Sequence, residues 1–192
     1  MKRPPASAVS ALLEPTPCDT GPVLFSSLGL DNRLLEGIRD LGFVETRPIQ
    51  TAVIRLALDG HDLIACAETG TGKTVAFVVP TLQRLLTAAT RAPSLKIRTM
   101  PDDVMKERPA ARSRVLVLAP TRELAVQIED EIHGLAYHTS VTSAAVYGGV
   151  DMGTQERALK AGVDIIVATR SEERRVGKEC GYQCRSRWSP YH

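Results

Sequence analysis

The chain has 192 residues, of which 43% are hydrophobic and only 4% aromatic, so its composition is that of a globular domain with an aliphatic core. Residues 170–192 contribute six of the 24 basic and three of the 22 acidic residues, which leaves 18 basic and 19 acidic residues, a net charge of −1, in residues 1–169. This balance gives no support for nucleic-acid binding from charge alone, and no apolar run is long enough to cross a membrane.

The cysteines indicate the cellular environment of the protein, and the composition of the N-terminal residues indicates whether they fold. The four cysteines form no convincing disulfide framework, which favours a reducing, cytoplasmic environment, and Cys66 is predicted to be a small core residue. Residues 1–24 hold five prolines and much Ala, Ser and Thr, so we expect a disordered extension without the apolar segment of a signal peptide. Regular patterning begins at Phe25.

Two amphipathic helices are predicted between Phe25 and Gly60. Asp31 is placed to cap the first helix, and Gly42 is placed to end it. Pro48 opens the second helix, which Gly60 ends. The residues expected on the buried faces are Leu34, Leu35, Ile38 and Leu41 in the first helix, and Ile49, Ala52, Val53 and Leu56 in the second.

A stretch rich in Gly and Thr has the pattern of a phosphate-binding loop, and its residues are Ala67, Glu68, Thr69, Gly70, Thr71, Gly72, Lys73 and Thr74. We expect an apolar strand at 63–67 before it and a helix after it, which is the context that such a loop needs. Gly70 and Gly72 allow successive N–H groups to face phosphate oxygens. Lys73 is predicted to reach the β- and γ-phosphates of a nucleotide, and the Thr74 hydroxyl is predicted to ligate Mg²⁺.

The rest of the chain alternates apolar strands with amphipathic helices, which predicts a parallel sheet. The helix after the loop continues through Leu86 with a bend at Pro80, and residues 88–113 then resemble a long solvated connection. Strands are predicted at 115–119, 143–147 and 163–169, and helices after Thr121 and over 154–161. The first of these strands is a continuous apolar run, typical of a buried parallel strand.

Polar and small residues follow these strands. Thr121 and Arg122 place a hydroxyl and a cation at a helix N-terminus, which suits a phosphate group. Alternatively, Thr121 only caps the helix and Arg122 pairs with a nearby acid. Gly148 and Gly149 follow the second strand, where a simple turn is the alternative to a site of close backbone approach.

Four segments within about residues 25–169 resemble, in the same order, motifs of the DEAD-box RNA helicases, of bacterial type. Residues 23–51 resemble the Q motif, with Thr46 and Arg47 where the family has Pro and Thr. The resemblance implies a nucleotide site in which Gln50 hydrogen-bonds the adenine edge and Phe43 packs on the adenine face, unless Phe43 is an ordinary core aromatic. The other Q-motif residues assigned to that site are Phe25 and Arg47, and the residues implied to bind RNA are Pro120, Thr121, Arg122, Gly148, Gly149 and Thr169.

The resemblance implies an α/β fold, namely a RecA-like phosphate-loop domain with a parallel sheet and flanking helices. It also implies ATP and Mg²⁺ as cofactors, RNA as the partner, and ATP-dependent RNA unwinding by a monomeric parent protein. The 192 residues hold neither the Asp-Glu-Ala-Asp nor the Ser-Ala-Thr motif of the family, so this chain itself is expected to be inactive. Two alternatives stay open: another phosphate-loop enzyme, such as a nucleotide kinase, and a non-catalytic module that binds nucleotide or RNA.

The family pattern breaks off after Thr169, where Pro-Gly-Arg would continue it. Residues 170–192 lack apolar periodicity and resemble a translated sequencing adapter, so we expect a non-native tail behind a partial domain at 25–169. In the family, the strands that pair with the strand before the phosphate loop, here the segment 63–67, come from parts of the chain that follow this motif. We therefore expect that segment to leave unpaired backbone groups and bare apolar faces, and the chain to fold poorly.

Overall fold

The computed structural model describes residues 18–91, 113–149 and 152–169. The expectations for residues 1–17, 92–112 and 170–192 lie outside these ranges. Within them, no helix is both long and apolar enough to span a membrane. The elements are a 3-10 turn (Phe25–Leu28), α1 (Asn32–Asp40), α2 (Pro48–Leu58), α3 (Lys73–Arg91), β1 (Val115–Ala119), α4 (Arg122–Ala136), β2 (Ser143–Val146), α5 (Met152–Ala161) and β3 (Ile165–Thr169).

Three parallel strands form the sheet, in the order β1-β3-β2. β3 lies in the centre and is buried along its whole length, and Ile165 at its start is aligned with both Val115 and Ser143. Ala119 at the end of β1 is aligned with Thr169 at the end of β3. The α/β class with a parallel sheet is confirmed, and its carboxyl edge is where such sheets place ligands.

The main core lies between the sheet and the helices α1, α3 and α4. Leu82 on α3 and Leu135 on α4 are completely buried, and Ile54 on α2 is 1% exposed. The predicted cap of α1 is confirmed, because Asp31 Oδ1 accepts a hydrogen bond from Arg33 N at 3.0 Å. Pro80 lies inside α3 as predicted, and this helix continues to Arg91, into the stretch expected to be a connection.

The strand predicted before the phosphate loop is absent, since residues 61–68 form neither helix nor strand. Leu63 is 40% exposed and Ile64 is 81% exposed. Cys66, predicted to be a core residue, is exposed as well. An extended apolar segment becomes a strand only when a neighbour accepts its backbone hydrogen bonds, and none of the three described strands pairs with it.

Burial also differs from prediction on β1 and the first two helices. Leu116 and Leu118 are 46% and 50% exposed, because β1 pairs with β3 alone among the described strands. Leu41 follows α1 as its C-cap and is 42% exposed. The fully buried residues of α2 are Gln50 and Ile54, whereas the four predicted ones, including Val53, are only partly buried.

Residues 18–24 were expected to belong to a disordered extension, but part of this segment is bound to the entry of α2. Val23 N donates to Thr46 Oγ1 at 2.9 Å, and Thr46 N donates to Val23 O at 2.8 Å. Thr51 Oγ1 donates to Gly21 O at 2.9 Å. Thr46 is only 4% exposed, so its hydroxyl needs such a partner. The expected extension therefore does not reach as far as Val23.

Candidate functional site

The phosphate loop turns at two glycines and leads into α3. The φ angle is +78° at Gly70 and +88° at Gly72, a region that L side chains rarely adopt. Helix α3 begins at Lys73 and is 19 residues long, so the positive end of its dipole lies at the loop. Backbone N–H groups at this end are a suitable site for an anion.

The Lys73 ammonium group forms hydrogen bonds within the phosphate loop. Its Nζ donates to the carbonyl oxygen of Ala67 at 2.6 Å and to that of Glu68 at 2.5 Å. Thr71 Oγ1 also donates to Glu68 O, at 2.8 Å. Thr69 lies in this turn and is exposed. A cation is therefore held within the loop, as phosphate binding requires.

The start of α2 is joined to the phosphate loop through two side chains. Arg47 Nη1 donates to Gly70 O at 2.7 Å, and Gln50 Nε2 donates to Gly72 O at 3.2 Å. Gln50 Oε1 accepts from Arg47 N at 2.8 Å, so both ends of this buried carboxamide are engaged inside the chain. A Cβ on Gly72 would displace Gln50 Nε2, and the positive φ angle of this residue also favours glycine.

The two predicted aromatic residues are neighbours, but only one of them is accessible. The ring centroids of Phe25 and Phe43 lie 6.5 Å apart with an interplanar angle of 39°. Phe25 is 2% exposed, whereas Phe43 is partly buried and packs against the core. Phe25 therefore supports Phe43 from the core side, and Phe43 alone of the pair presents surface to a ligand.

Thr74, the predicted Mg²⁺ ligand, lines a cavity of about 320 Å³ together with Lys73. The other walls are mostly apolar and come from α2, α3, β1 and α4 (Ile49, Val53, Phe77, Val117, Leu118, Leu124 and Ile128 among them). The described residues contain no group of three or more His, Cys, Asp or Glu side chains that could hold a metal ion. A threonine hydroxyl is an oxygen ligand of the kind that Mg²⁺ takes, together with phosphate oxygens and water.

Glu131 on α4 is a neighbour of Thr74 and was not among the site residues predicted from the sequence. Burial raises the pKa of the Glu131 carboxyl, and the hydrogen bond with Thr74 partly opposes that rise. The spacing offered a signal, because Glu131 is three residues after the buried Ile128 and so lies on the same helical face.

A second candidate site lies at the carboxyl edge of the sheet. Thr121 Oγ1 accepts from Leu124 N at 3.2 Å, so the threonine does cap α4, as the alternative reading proposed. The Arg122 guanidinium lies so close to Gly149 that a Cβ there would collide with it, and Gly149 has φ +90°. Thr169, 6% exposed, ends the neighbouring strand β3.

Gln155 on α5 supports the Gly148–Gly149 turn and was not singled out from the sequence. Its Oε1 accepts from Tyr147 N at 3.0 Å, and its Nε2 donates to Tyr147 O at 3.1 Å. This two-sided bond fixes the residue that precedes the turn. A lone glutamine in a polar helix carries no sequence signal for such a contact.

Comparison with known proteins identifies a family for most of the chain. Residues 47–179 match the family model described as DEAD/DEAH box helicase, which covers more than half of the chain. The chain is 42% identical over 145 residues to "Probable ATP-dependent RNA helicase DDX27" of Mus musculus, an alignment that covers 76% of the chain and 17% of that protein.

Bacterial relatives are similar at about the same level. "ATP-dependent RNA helicase SrmB" of Escherichia coli is 38% identical over 162 residues, which are 84% of the chain and 33% of that protein. "ATP-dependent RNA helicase CshA" of Listeria monocytogenes is 37% identical over 145 residues, 76% of the chain and 24% of the relative. The chain thus spans a third or less of the length of these curated relatives.

Proposed function

Because the chain belongs to the DEAD/DEAH box helicase family, we propose that it is the ATP- and RNA-binding N-terminal part of an ATP-dependent RNA helicase. One observation carries the proposal: the segment that holds Arg47 and Gln50 is hydrogen-bonded directly to the phosphate loop at Gly70 and Gly72. A base-reading residue and a phosphate site joined in this way belong to one nucleotide pocket. The names of the relatives support ATP as the nucleotide.

In the proposed ATP site, Lys73 and the loop N–H groups hold the phosphates while Thr74 ligates Mg²⁺. The ion would neutralise phosphate charge during phosphoryl transfer. Phe43 packs on the adenine, supported by Phe25. Gln50 reads the adenine edge, and for this its Nε2 must exchange the Gly72 carbonyl for the base. The loop residues assigned to the site are Ala67, Glu68, Thr69, Gly70, Thr71, Gly72, Lys73 and Thr74.

The proposed RNA site is the carboxyl edge of the sheet. Arg122 supplies a cation next to Gly149, where the backbone can approach a phosphate–sugar chain closely. Thr121 is held in place by its capping bond, and Pro120, Gly148 and Thr169 complete the surface. The support is the common position of these residues at or just after the carboxyl ends of β1, β2 and β3.

Several coarser features of the parent protein are also part of the proposal. We assign it a cytoplasmic location, a monomeric state and a bacterial type. We also propose a division into an extension that ends before Gly21, a partial domain that continues to Thr169 and a non-native tail (170–192). The family match runs ten residues past Thr169, which speaks against so early a boundary. Genomic DNA read beyond the Thr169 codon would decide it, and an uninterrupted locus that encodes the tail would refute the adapter interpretation.

The experiment is a measurement of RNA binding with and without nucleotide, by fluorescence anisotropy of a labelled single-stranded RNA. We expect ATP to strengthen RNA binding, Lys73→Ala to abolish that effect, and Arg122→Ala to weaken RNA binding in either state. Arg84→Ala is the matched control, because Arg84 is an exposed cation on the same helix as Lys73, three turns away. ATP binding without any effect on RNA would favour another phosphate-loop enzyme, such as a nucleotide kinase.

A further inference from the structure

We propose that Arg47 is a positioning residue that orients the Gly70–Thr71 peptide, so that the Thr71 N–H faces the phosphates of a bound nucleotide. The inference rests on the proposed ATP site and adds to it a role that the family pattern does not supply, since the family has Thr where this chain has Arg47. A threonine hydroxyl lies close to its own backbone, whereas the Arg47 guanidinium extends from the entry of α2 to the carbonyl oxygen of Gly70, 2.7 Å away.

The geometry of the peptide unit fixes where the Thr71 N–H points once the Gly70 carbonyl is held. All described peptide bonds are trans, and in a planar trans peptide the C=O and N–H groups point in opposite directions. Because Arg47 Nη1 holds Gly70 O on the α2 side of the loop, the N–H of Thr71 is directed to the opposite side. An N–H group directed into the loop is the group that a phosphate oxygen needs.

This peptide needs an external partner more than its neighbours do. Gly70 has φ +78°, and glycine passes between backbone conformations at little steric cost, so the peptide after it can rotate. A rotated peptide would present its carbonyl oxygen, and hence negative charge, to the phosphates. Arg47 opposes that rotation with a charge-assisted hydrogen bond.

Three other carbonyl groups of the phosphate loop are already held by other partners. Gly72 O accepts from Ala76 N at 3.2 Å, the first bond of α3, and from Gln50 Nε2 at 3.2 Å. The carbonyl oxygens of Ala67 and Glu68 are held by Lys73. Arg47 thus adds Gly70 O to the carbonyl oxygens of the loop that donors of the chain hold, namely those of Ala67, Glu68 and Gly72.

The test measures the affinities of ATP, ADP and adenosine for the 192-residue chain and its variants by isothermal titration calorimetry. Because the Arg47–Gly70 hydrogen bond is exposed to solvent, its loss should change an equilibrium only by the amount of an ordinary hydrogen bond, about three- to tenfold. We therefore expect Arg47→Ala to weaken ATP and ADP binding by about three- to tenfold and adenosine binding by less than twofold. Arg47→Lys, which keeps a cationic donor, should recover most of the loss. Arg55→Ala, which removes an exposed arginine from α2, the helix that Arg47 caps, should change none of these affinities.

A second measurement needs no nucleotide. The NMR order parameter of the Thr71 amide should fall toward the flexible range in Arg47→Ala, below about 0.6, and stay near 0.85 in Arg55→Ala. If the unsubstituted chain binds no ATP, the proposed function fails, and the Thr71 amide alone then tests the role of Arg47. If Arg47→Ala matches the unsubstituted chain in ATP affinity or in Thr71 mobility, the positioning role is overturned.

Discussion

The exposed apolar segment before the phosphate loop predicts self-association of the 192-residue chain. Ile64 is 81% exposed, and Leu63, Leu116 and Leu118 are between 40% and 50% exposed. The exposed fractions of these four side chains add up to about two fully exposed side chains. Burying one fully exposed apolar side chain contributes roughly 1.5–3 kcal/mol. The resulting 3–6 kcal/mol, roughly, is comparable with a total domain stability of about 5–15 kcal/mol. This gain favours association, and it is opposed by the translational and rotational freedom that the copies lose, about 4–15 kcal/mol.

The perturbation is Ile64→Lys, which removes the largest single contribution, about 1–2 kcal/mol per copy. It should cost little folding stability, because the side chain is already exposed to solvent. A lysine on an unpaired extended segment also discourages edge-to-edge pairing. We expect the unsubstituted chain to self-associate as its concentration rises, and Ile64→Lys to raise the concentration at which association begins.

Static light scattering and sedimentation velocity over a concentration series are the assays. Val44→Lys is the matched control, since Val44 is 68% exposed but lies outside the segment, and it should not change association. Ile54→Lys buries a charge at a position that is 1% exposed and should make aggregation worse. A monodisperse unsubstituted chain with a cooperative thermal transition would refute the reasoning, as would equal effects of Ile64→Lys and Val44→Lys.

Three further predictions concern the nucleotide site. Residues 1–192 should show no RNA-stimulated ATP hydrolysis in a phosphate-release assay, because they hold no Asp-Glu-Ala-Asp motif; RNA-dependent release from a clean preparation would contradict this. Gln50→Ala should lower ATP affinity more than GTP affinity, and equal losses would argue against adenine reading. Burial raises the pKa of the Glu131 carboxyl, so the folded chain loses stability as the pH rises through that pKa and the carboxyl ionises. Glu131→Gln should therefore raise the melting temperature at pH 7 and leave it unchanged below pH 4.5, where the carboxyl is protonated in both states. A melting temperature that did not change at pH 7 would show that the Glu131 charge is not penalised.

Local chemistry was enough to predict the helix ends and the turns of the phosphate loop. Asp31 caps α1 through its own side chain, Pro48 opens α2, and Gly70 and Gly72 adopt positive φ. Each of these features depends on a residue and its neighbours within a few positions, so the sequence contains all the information needed. The strand and helix alternation after Val115 was likewise predictable from apolar periodicity.

Tertiary structure alone decided which apolar segments are buried and which polar groups meet. The segment 63–67 has the same apolar character as β1, yet it forms no strand, because a strand exists only through the hydrogen bonds of a neighbour distant in sequence. The contacts of Arg47 with Gly70 and of Glu131 with Thr74 join positions more than 20 residues apart. Such pairings depend on how helices and loops pack in three dimensions, which no local pattern records.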